Sequence, residues 1–593
     1  MYINFLLSSF VGILIYTVPT SADQTYVVKS STNWGIWQGW GTSLAWWGKV
    51  FGNRDDVSKI FFTTSSTTLN GQSIPGLGFN IVRYNAGACS SNTYQGNKMV
   101  KSTTIKPWRQ MDGFWLDGTS TSPASSSWNW SVDSNQRMAM TKARDNGANI
   151  FELFSNSPMW WMCKNRNPSG ASDGSENILA SSLQQHAYYM ATIAKYALTN
   201  WGITFATVEP FNEPSGSWWT ANGKQEGCNM KAATQSTIIN YLRTELNNQG
   251  LSSMKIAASD ETSVDQSAGT WRALTTEAKN NVFRINLHGY QGTGGNRAAM
   301  YTLASSAGKV LWNSEYGEND ATGVRLVTSL MLDLHRLHPT AWSYWQPLDA
   351  GGWGLIDANN DAATLGAVSQ KYYAVAQFTR HIRQGMTILD GGSDTVVAAL
   401  DSKNNKLIIV AVNLGGAQYL NFDLSAFSGV TNGATVPRWY TQLGSSGSRY
   451  VSAPTDTVIS GSKFRSYFNT NVIQTFEVSL RAGTGVPTTT MKTTASSTTG
   501  PKPTTTTGSG GGTVAQYGQC GGKDWNGGTV CVSPYTSSSL EMSSEKAISN
   551  KVNNSGPATT PNHRIPQRLL HNLYDSTRSN LLFYNGDSGS FWD

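Results

Sequence analysis

Between about residue 38 and residue 384, short apolar runs alternate with longer amphipathic stretches. Gln38–Gly41, Leu77–Tyr84, Asn149–Phe154, Phe205–Val208, Met254–Ala258, Val282–Leu287, Val310–Ser314 and Ala341–Trp345 each read as a short buried strand. The material between them has helical period, clearest over Ser134–Asp145 and residues 182–200. Strand and helix in this rhythm predict an α/β fold, a (β/α)8 TIM barrel over residues 38–384. From residue 385 to 481 the texture changes to short alternating strands such as Leu407–Val412 and Val472–Val478, separated by turn residues. This predicts an appended antiparallel β-sandwich. The alternation at Thr25–Val28 gives residues 23–37 a strand to add to the same sandwich, which would bring the ends of the barrel domain together.

The two ends of the chain read differently. Residues 1–22 form an apolar leader that closes on the small residues Thr20, Ser21 and Ala22, as a secretory signal peptide does. No later stretch has eighteen consecutive apolar residues, so no membrane span is expected. Residues 482–514 are dominated by Thr, Ser, Gly and Pro and read as an extended linker. Beyond it lie Tyr517-Gly518-Gln519-Cys520-Gly521-Gly522, Trp525-Asn526-Gly527 and Cys531. The last segment, 537–593, has no periodicity and is expected to be disordered.

Composition narrows the function. The chain carries 44 basic and 37 acidic residues without a basic run, which excludes a dedicated nucleic-acid surface. It also carries 22 Trp and 23 Tyr, and the flat face of an indole matches the C–H face of a pyranose, so carbohydrate is the favoured ligand class. Of the five cysteines, Cys163 and Cys228 each follow a predicted barrel strand and are placed to bridge neighbouring loops, leaving Cys89 as a buried thiol. No Cys or His spacing suggests a metal, and no cofactor is expected. Asn129-Trp130-Ser131 is an N-glycosylation sequon.

Polar residues cluster where predicted barrel strands end, the face on which barrel enzymes build their sites. They include Arg83, Asn85, Asn212, Glu213, Asp260, His288, Tyr290, Glu315, Trp345 and Gln346. Glu213 follows the fourth strand and Glu315 the seventh. Two carboxyl groups facing each other across a sugar bond, one protonated and one ionised, are what a retaining glycosidase needs. Glu213 is assigned as acid/base, with Asn212 beside it for the sugar 2-OH, and Glu315 as nucleophile, held ionised by Arg83 or Tyr290. Asp260 and Glu261 are read as caps for the following helix, and Glu209 as a structural group of the barrel wall.

Residues 39–480 resemble glycoside hydrolase family 30, a family of retaining enzymes with a barrel fused to a β-sandwich. The likeness rests on Asn212-Glu213-Pro214, Trp312-Asn313-Ser314-Glu315, Arg83, Ser157-Pro158-Met159-Trp160-Trp161, His288-Gly289-Tyr290, Trp345 and Phe378–Gly385, in that family's order. Within it the chain looks most like fungal endo-β-1,6-galactanases, which implies the β-1,6-galactan side chains of arabinogalactan proteins as substrate; β-1,6-glucanase and glucuronoxylanase activities are the alternatives. Trp47, Trp161, Trp219 and Glu226 are added as substrate contacts, with Glu226 reading the axial 4-OH of galactose. Residues 515–536 resemble the first part of a fungal family 1 cellulose-binding module. The implied protein is a secreted monomer whose partner is a polysaccharide. A binding protein that has lost catalysis is the alternative of another class, disfavoured because both glutamates are present with their neighbours.

Overall fold

Eight parallel strands close on one another as a barrel: Gly39–Ser43, Ile81–Asn85, Ile150–Phe154, Thr207–Glu209, Lys255–Glu261, Val282–His288, Val310–Tyr316 and Ala341–Tyr344. The last pairs with the first, Ala341 opposite Gly39 and Tyr344 opposite Thr42, so no edge is left open. The strands are buried along almost their whole length, which is why they appear in the sequence as runs rather than alternations. The computed structural model describes residues 23–481, together with short strands at 513–514, 519–521, 530–531, 536–537 and 545–548.

The barrel interior is polar at its centre. Glu152 of the third strand accepts from Arg83 Nε at 3.1 Å, from Thr207 Oγ1 at 2.7 Å, from Asn286 Nδ2 at 3.0 Å, and from Arg284. The Arg284 guanidinium lies 3.3 Å from the centroid of the Trp312 ring. Around this plug the helices form an outer layer. Ser134–Asp145 is helical over the predicted span. Several helices start on side-chain caps, with Ser263, Thr275, Asn296 and Ser369 each accepting from the backbone N–H three residues on.

Two further sheets pack as the sandwich. One has six strands, in the order Thr387–Ser393, Val396–Asp401, Lys406–Asn413, Val472–Ser479, Arg438–Gln442, Val451–Ala453. The other has three, with Gln418–Asp423 between Gln24–Val27 and Lys463–Phe468. Phe422, Phe464 and Phe476 meet between the sheets at centroid distances of 4.8 to 5.3 Å. Helix Gln370–Thr379 joins barrel to sandwich: Gln377 Nε2 donates to Thr441 Oγ1 at 2.9 Å and Thr475 Oγ1 donates to Gln377 Oε1 at 2.6 Å. Residues 488–593 form a separate unit. Its described strands pair Thr513–Val514 with Val530–Cys531, and Glu545–Ile548 with both Gln519–Gly521 and Thr536–Ser537. The segment 537–593, expected to be without structure, thus includes one described strand. The leader 1–22 and most of the linker 482–514 lie outside the described residues.

Three sequence expectations are corrected by how the loops over the barrel mouth pack. Trp47 is 1% exposed, donates Nε1 to Ser43 O at 2.7 Å and sits edge-on to Phe61 behind the barrel wall, away from any cleft. Glu226 is fully buried and accepts from Ala88 N and Cys89 Sγ, both at 3.1 Å, and from Asn85 Nδ2 at 3.4 Å; it ties the loop after the fourth strand to that after the second. Cys163 and Cys228 are free thiols rather than a disulfide, with Sγ atoms directed at backbone carbonyls of Met159 and Asn229 at 3.7 and 3.6 Å. In each case a polar tip on a largely apolar surface finds its partner within the loop layer and leaves solvent altogether.

Burial raises the carboxyl of Glu226 to about 7 against the pull of its three donors, and raises that of Asp133 to about 7 against Tyr84 and Gln136. A carboxyl that holds its proton more tightly when folded contributes stability in full below the ordinary carboxylate range, and that contribution is lost as pH rises through 7. Glu226→Gln keeps the shape without the titration, so relative to wild type it should gain up to about 3 kcal/mol on going from pH 4.5 to pH 8. Guanidinium unfolding at the two pH values checks this; a wild-type-to-variant gap that does not change with pH contradicts it.

Candidate active site

The pleat of a straight strand would turn alternate residues away from the barrel axis, and here the pleat is broken at the strand ends that matter. Register shifts fall between Ser259 and Glu261, between Leu287 and His288, and between Asn313 and Tyr316. Each bulge re-aims a side chain at the mouth, bringing Asp260, His288 and Glu315 together. Asp260 and Glu213 have positive φ, 52° and 46°, and Glu213 N donates to Asp260 O at 2.8 Å. Non-glycine residues are uncommon in that region, and two adjoining ones on neighbouring strands mark a constrained site.

Arg83 lies at the base of the constellation with no exposure. Its NH1 donates to Glu315 Oε2 at 2.8 Å and to Ser43 Oγ at 3.0 Å, Nε to Glu152, and NH2 to Asp260, while its guanidinium covers the Phe154 ring at 4.3 Å. Tyr290 OH donates to the other oxygen of Glu315 at 2.8 Å. His288 stands between the two glutamates: Nδ1 is 3.2 Å from Glu213 Oε1 and 3.5 Å from Glu315 Oε1, and Nε2 is 3.5 Å from Asp260 Oδ1. Ser314 Oγ donates to Asp260 Oδ1 at 2.5 Å. One oxygen of Glu213, one of Glu315 and a His288 nitrogen lie within 4.8 Å of one another.

The charges follow from this packing. Burial pulls the His288 imidazole down, but Glu315, Asp260 and Glu213 together raise it to about 10, so it is a cation at neutral pH. Burial pushes the Asp260 carboxyl up, and Arg83, His288 and Ser314 more than reverse this, leaving it below the ordinary range. For Glu315 burial is the larger effect and raises its carboxyl, with His288 and Arg83 opposing. Glu213, His288 and Glu315 are also spaced as metal ligands can be.

Around this centre the predicted residues divide. Trp345 is in the wall of the mouth, edge-on to Trp46 at 5.3 Å and near Phe154 at 6.4 Å. Trp46, 2% exposed, packs beside Trp345 with its backbone N–H donating to Gln346 Oε1 at 2.7 Å, whereas Trp47 turns to the opposite side. Asn212 is buried with its Oδ1 unpartnered. Asn85 makes no free contact: its Oδ1 accepts from Asn156 N at 3.1 Å, its Nδ2 faces Glu226, and its backbone pairs with Gln136. It positions Asn156, whose buried amide has both polar atoms unpartnered. Trp161 donates to Trp115 O at 3.0 Å and packs against Trp115 and Tyr94, inside an aromatic cluster rather than against the carboxylates. Trp219 donates Nε1 to Glu213 O at 2.9 Å and so tethers that residue, while Trp218 presents the exposed face of the pair.

Asp260 is among the strand-end residues visible in the sequence, with a helix-capping role expected of it, while Asn156 carries no motif. Asp260 was read as a helix cap, yet Ser263 caps that helix, accepting from Gln266 N at 3.3 Å, and Glu261 is bonded to Thr270 and Ser215 at 2.6 and 2.7 Å. The only sequence signal for Asp260 was its place at a strand end. Asn129, the sequon residue, lies on a loop with its Oδ1 accepting from Ser131 Oγ at 2.6 Å.

Comparison with known proteins agrees with this geometry. The profile described as O-Glycosyl hydrolase family 30 matches residues 23–299, and that of the fungal cellulose binding domain matches residues 516–536. An endo-beta-1,6-galactanase of Hypocrea rufa is 55% identical over 469 residues, which are 79% of this chain and 97% of that protein. Among solved structures, a conserved exported protein from Bacteroides fragilis aligns with a TM-score of 0.62 at 16% identity, over 77% of this chain and all of that one. The catalytic domain of GH30 xylanase C from Talaromyces cellulolyticus aligns with a TM-score of 0.57 at 19% identity, with the same shares covered. At such identities these two bear on the fold alone. With the barrel, the sandwich and the facing glutamates in place, and with a relative of this identity matched over nearly its whole length, the chain belongs to O-glycosyl hydrolase family 30.

Proposed function

We propose that the protein is a secreted, retaining endo-β-1,6-galactanase that cleaves β-1,6-linked galactan side chains of arabinogalactan proteins by double displacement. The observation that carries the chemistry is the facing pair Glu213 and Glu315, their oxygens within 4.8 Å across one buried cation, His288. That spacing suits a carboxylate acting as nucleophile, since an inverting pair needs room for a water between its carboxyl groups, about 6.5–9.5 Å. The sugar and linkage are supported by the 55% identical relative and the endo action of its description. The leader-like residues 1–22 and the cellulose-binding-type segment 516–536 support an extracellular enzyme.

In this reading Glu315 attacks the anomeric carbon, the C–O bond to the leaving sugar breaks, and Glu213 protonates the departing oxygen. Water then attacks the same carbon from the opposite face, giving its proton to Glu213 and releasing Glu315. Arg83 and Tyr290 each occupy one oxygen of Glu315, fixing its orientation and favouring its ionised form although burial opposes this. The His288 cation stabilises whichever glutamate is charged as the proton moves between steps. The unpartnered Oδ1 of Asn212 is the acceptor for a sugar hydroxyl, and the Asn156 amide offers a second polar contact. Trp46 and Trp345 supply the apolar wall.

Glu315→Gln should reduce hydrolysis of β-1,6-galactan at least ~10⁴-fold, the scale seen when an essential member of a catalytic group is removed. Retained activity removes Glu315 as nucleophile. Sizing the products from β-1,6-galactan and from pustulan tests sugar and mode together: a ladder of short galacto-oligomers is expected from the former, and oligomers from pustulan alone would reassign the enzyme as a glucanase. Asp260→Asn leaves the shape but withdraws a charge from Arg83 and His288. It should lower kcat roughly 10–100-fold and move the His288 titration down from about 10, read by NMR of the imidazole. An unmoved titration would show that Asp260 does not hold the histidine charged.

A further inference from the structure

A cleft of about 960 Å³ opens on the sandwich, remote from the catalytic mouth in sequence and built from different elements. Its walls are the strand Lys463–Phe468, an edge of the three-stranded sheet, and the strand Arg438–Gln442 of the six-stranded one. Along Lys463–Phe468 exposure alternates strictly, with Phe464, Ser466 and Phe468 inward and Lys463, Arg465 and Tyr467 outward. Register places Tyr467 directly beside Tyr419, and the two rings meet at 5.2 Å and 62°. They remain 48% and 38% exposed, an amount of aromatic surface that packing alone does not account for.

The floor is rigid. Gln474, 2% exposed, accepts from Ser466 Oγ at 2.8 Å and from Arg438 NH1 at 3.3 Å, and donates Nε2 to Tyr467 O at 2.7 Å, so one side chain staples the two sheets across the bottom of the cleft. That last bond also occupies a main-chain oxygen of the edge strand, which disfavours addition of a peptide strand there. The charges are compensated within reach: Arg438 pairs with Asp456, Lys463 with Asp423 at 3.0 Å, and Arg465 stands 3.9 Å from Asp23 with its guanidinium over the Tyr419 ring at 4.4 Å. The remaining lining is mostly amides and hydroxyls, such as Asn421 and Gln442.

From exposed tyrosines, planar polar side chains and balanced charge, we infer that this cleft is a second, non-catalytic binding site for a neutral polysaccharide chain. Tyr467 and the face of Tyr419 opposite Arg465 are the stacking surfaces, and Asn421 Oδ1 and Gln442 Oε1, whose amide nitrogens are held by the carbonyls of Gln24 and of Leu443, Thr470 and Asn471, are the hydroxyl-accepting groups. An acidic chain would need uncompensated cations, and a lipid or an apolar peptide would need an apolar lining. At about 960 Å³ the cleft has room for more than one sugar, so it retains a polymer after each cut and releases short products. Its ligand is taken to be the galactan of the proposed reaction, and in that respect the inference rests on that reading.

The full-length protein carrying Glu315→Gln, with and without Tyr419→Ala plus Tyr467→Ala, is run in native gels containing β-1,6-galactan, pustulan or uronate-capped galactan. The parent should be retarded by β-1,6-galactan, and the double tyrosine variant should show an apparent Kd at least fivefold weaker at an unchanged melting temperature. In the otherwise wild-type enzyme the same pair of substitutions should lower kcat/KM on polymeric galactan at least threefold relative to that on a short galacto-oligosaccharide. Equal retardation with and without the tyrosines overturns the site. Tyrosine-dependent retardation by uronate-capped galactan alone overturns its neutral ligand. Tyrosine-dependent binding of pustulan, together with hydrolysis of pustulan but not of galactan, keeps the site and rejects the galactanase reading.

Discussion

Arg83 has no contact with water, and three carboxylates depend on it: Glu152 below, Asp260 to one side and Glu315 above. Removing a cation from such a place costs about 3–5 kcal/mol because its partners are left charged and dry. The network closes because Arg284 shares Glu152, and His288 stands between Asp260 and the two glutamates. Arg83, Arg284 and His288 thus face Glu152, Asp260 and Glu315 in one buried network, with Glu213 at its edge. A mouth prepared this way needs no reorganisation at the moment of bond cleavage, which is where buried dipoles and charges are most effective.

The backbone serves the same end. Three bulges at the ends of neighbouring strands turn Asp260, His288 and Glu315 towards one point. The left-handed residues Asp260 and Glu213 are joined by a main-chain hydrogen bond, and Trp219 fastens the Glu213 carbonyl from outside. Strain of about 1–3 kcal/mol at such residues persists only where surrounding structure over-determines the conformation. Here the surrounding structure is the loop layer, held by Glu226 and by the free thiols of Cys89, Cys163 and Cys228, all buried. Helix Gln370–Thr379 fixes the sandwich to the barrel, its Gln377 bonded to both Thr441 and Thr475.

What could be read in advance and what could not differ by the kind of information involved. Strand runs such as Val310–Ser314 and the helix Ser134–Asp145 were legible because burial on both faces or on one face leaves a period in the sequence. The assignment failed in the loops. Trp46 and Trp47 are chemically identical neighbours, and which one packs beside Trp345 depends on a chain path that has no period. Glu226 looked like a sugar ligand because an acid in a Trp-rich loop is expected to face solvent, but donors from the end of the second strand and the loop after it satisfy the buried carboxyl. Asn85 looked free, and proved to be consumed by Asn156 and Glu226, leaving Asn156 as the unpartnered amide.

The sequence by itself therefore determined the barrel, the sandwich, and the two strand ends that carry Glu213 and Glu315, since each is written in local periodicity or in short contiguous motifs. The tertiary structure alone decided the role of Asp260, the positive charge on His288, the choice between Trp46 and Trp47, and the cleft between the sandwich sheets. Each of these is a relation between side chains far apart in the chain, as Arg83 and Asp260 are at 177 residues. Distance, burial and compensation of charge arise only when the strands close, and they set which of several suitable residues can act.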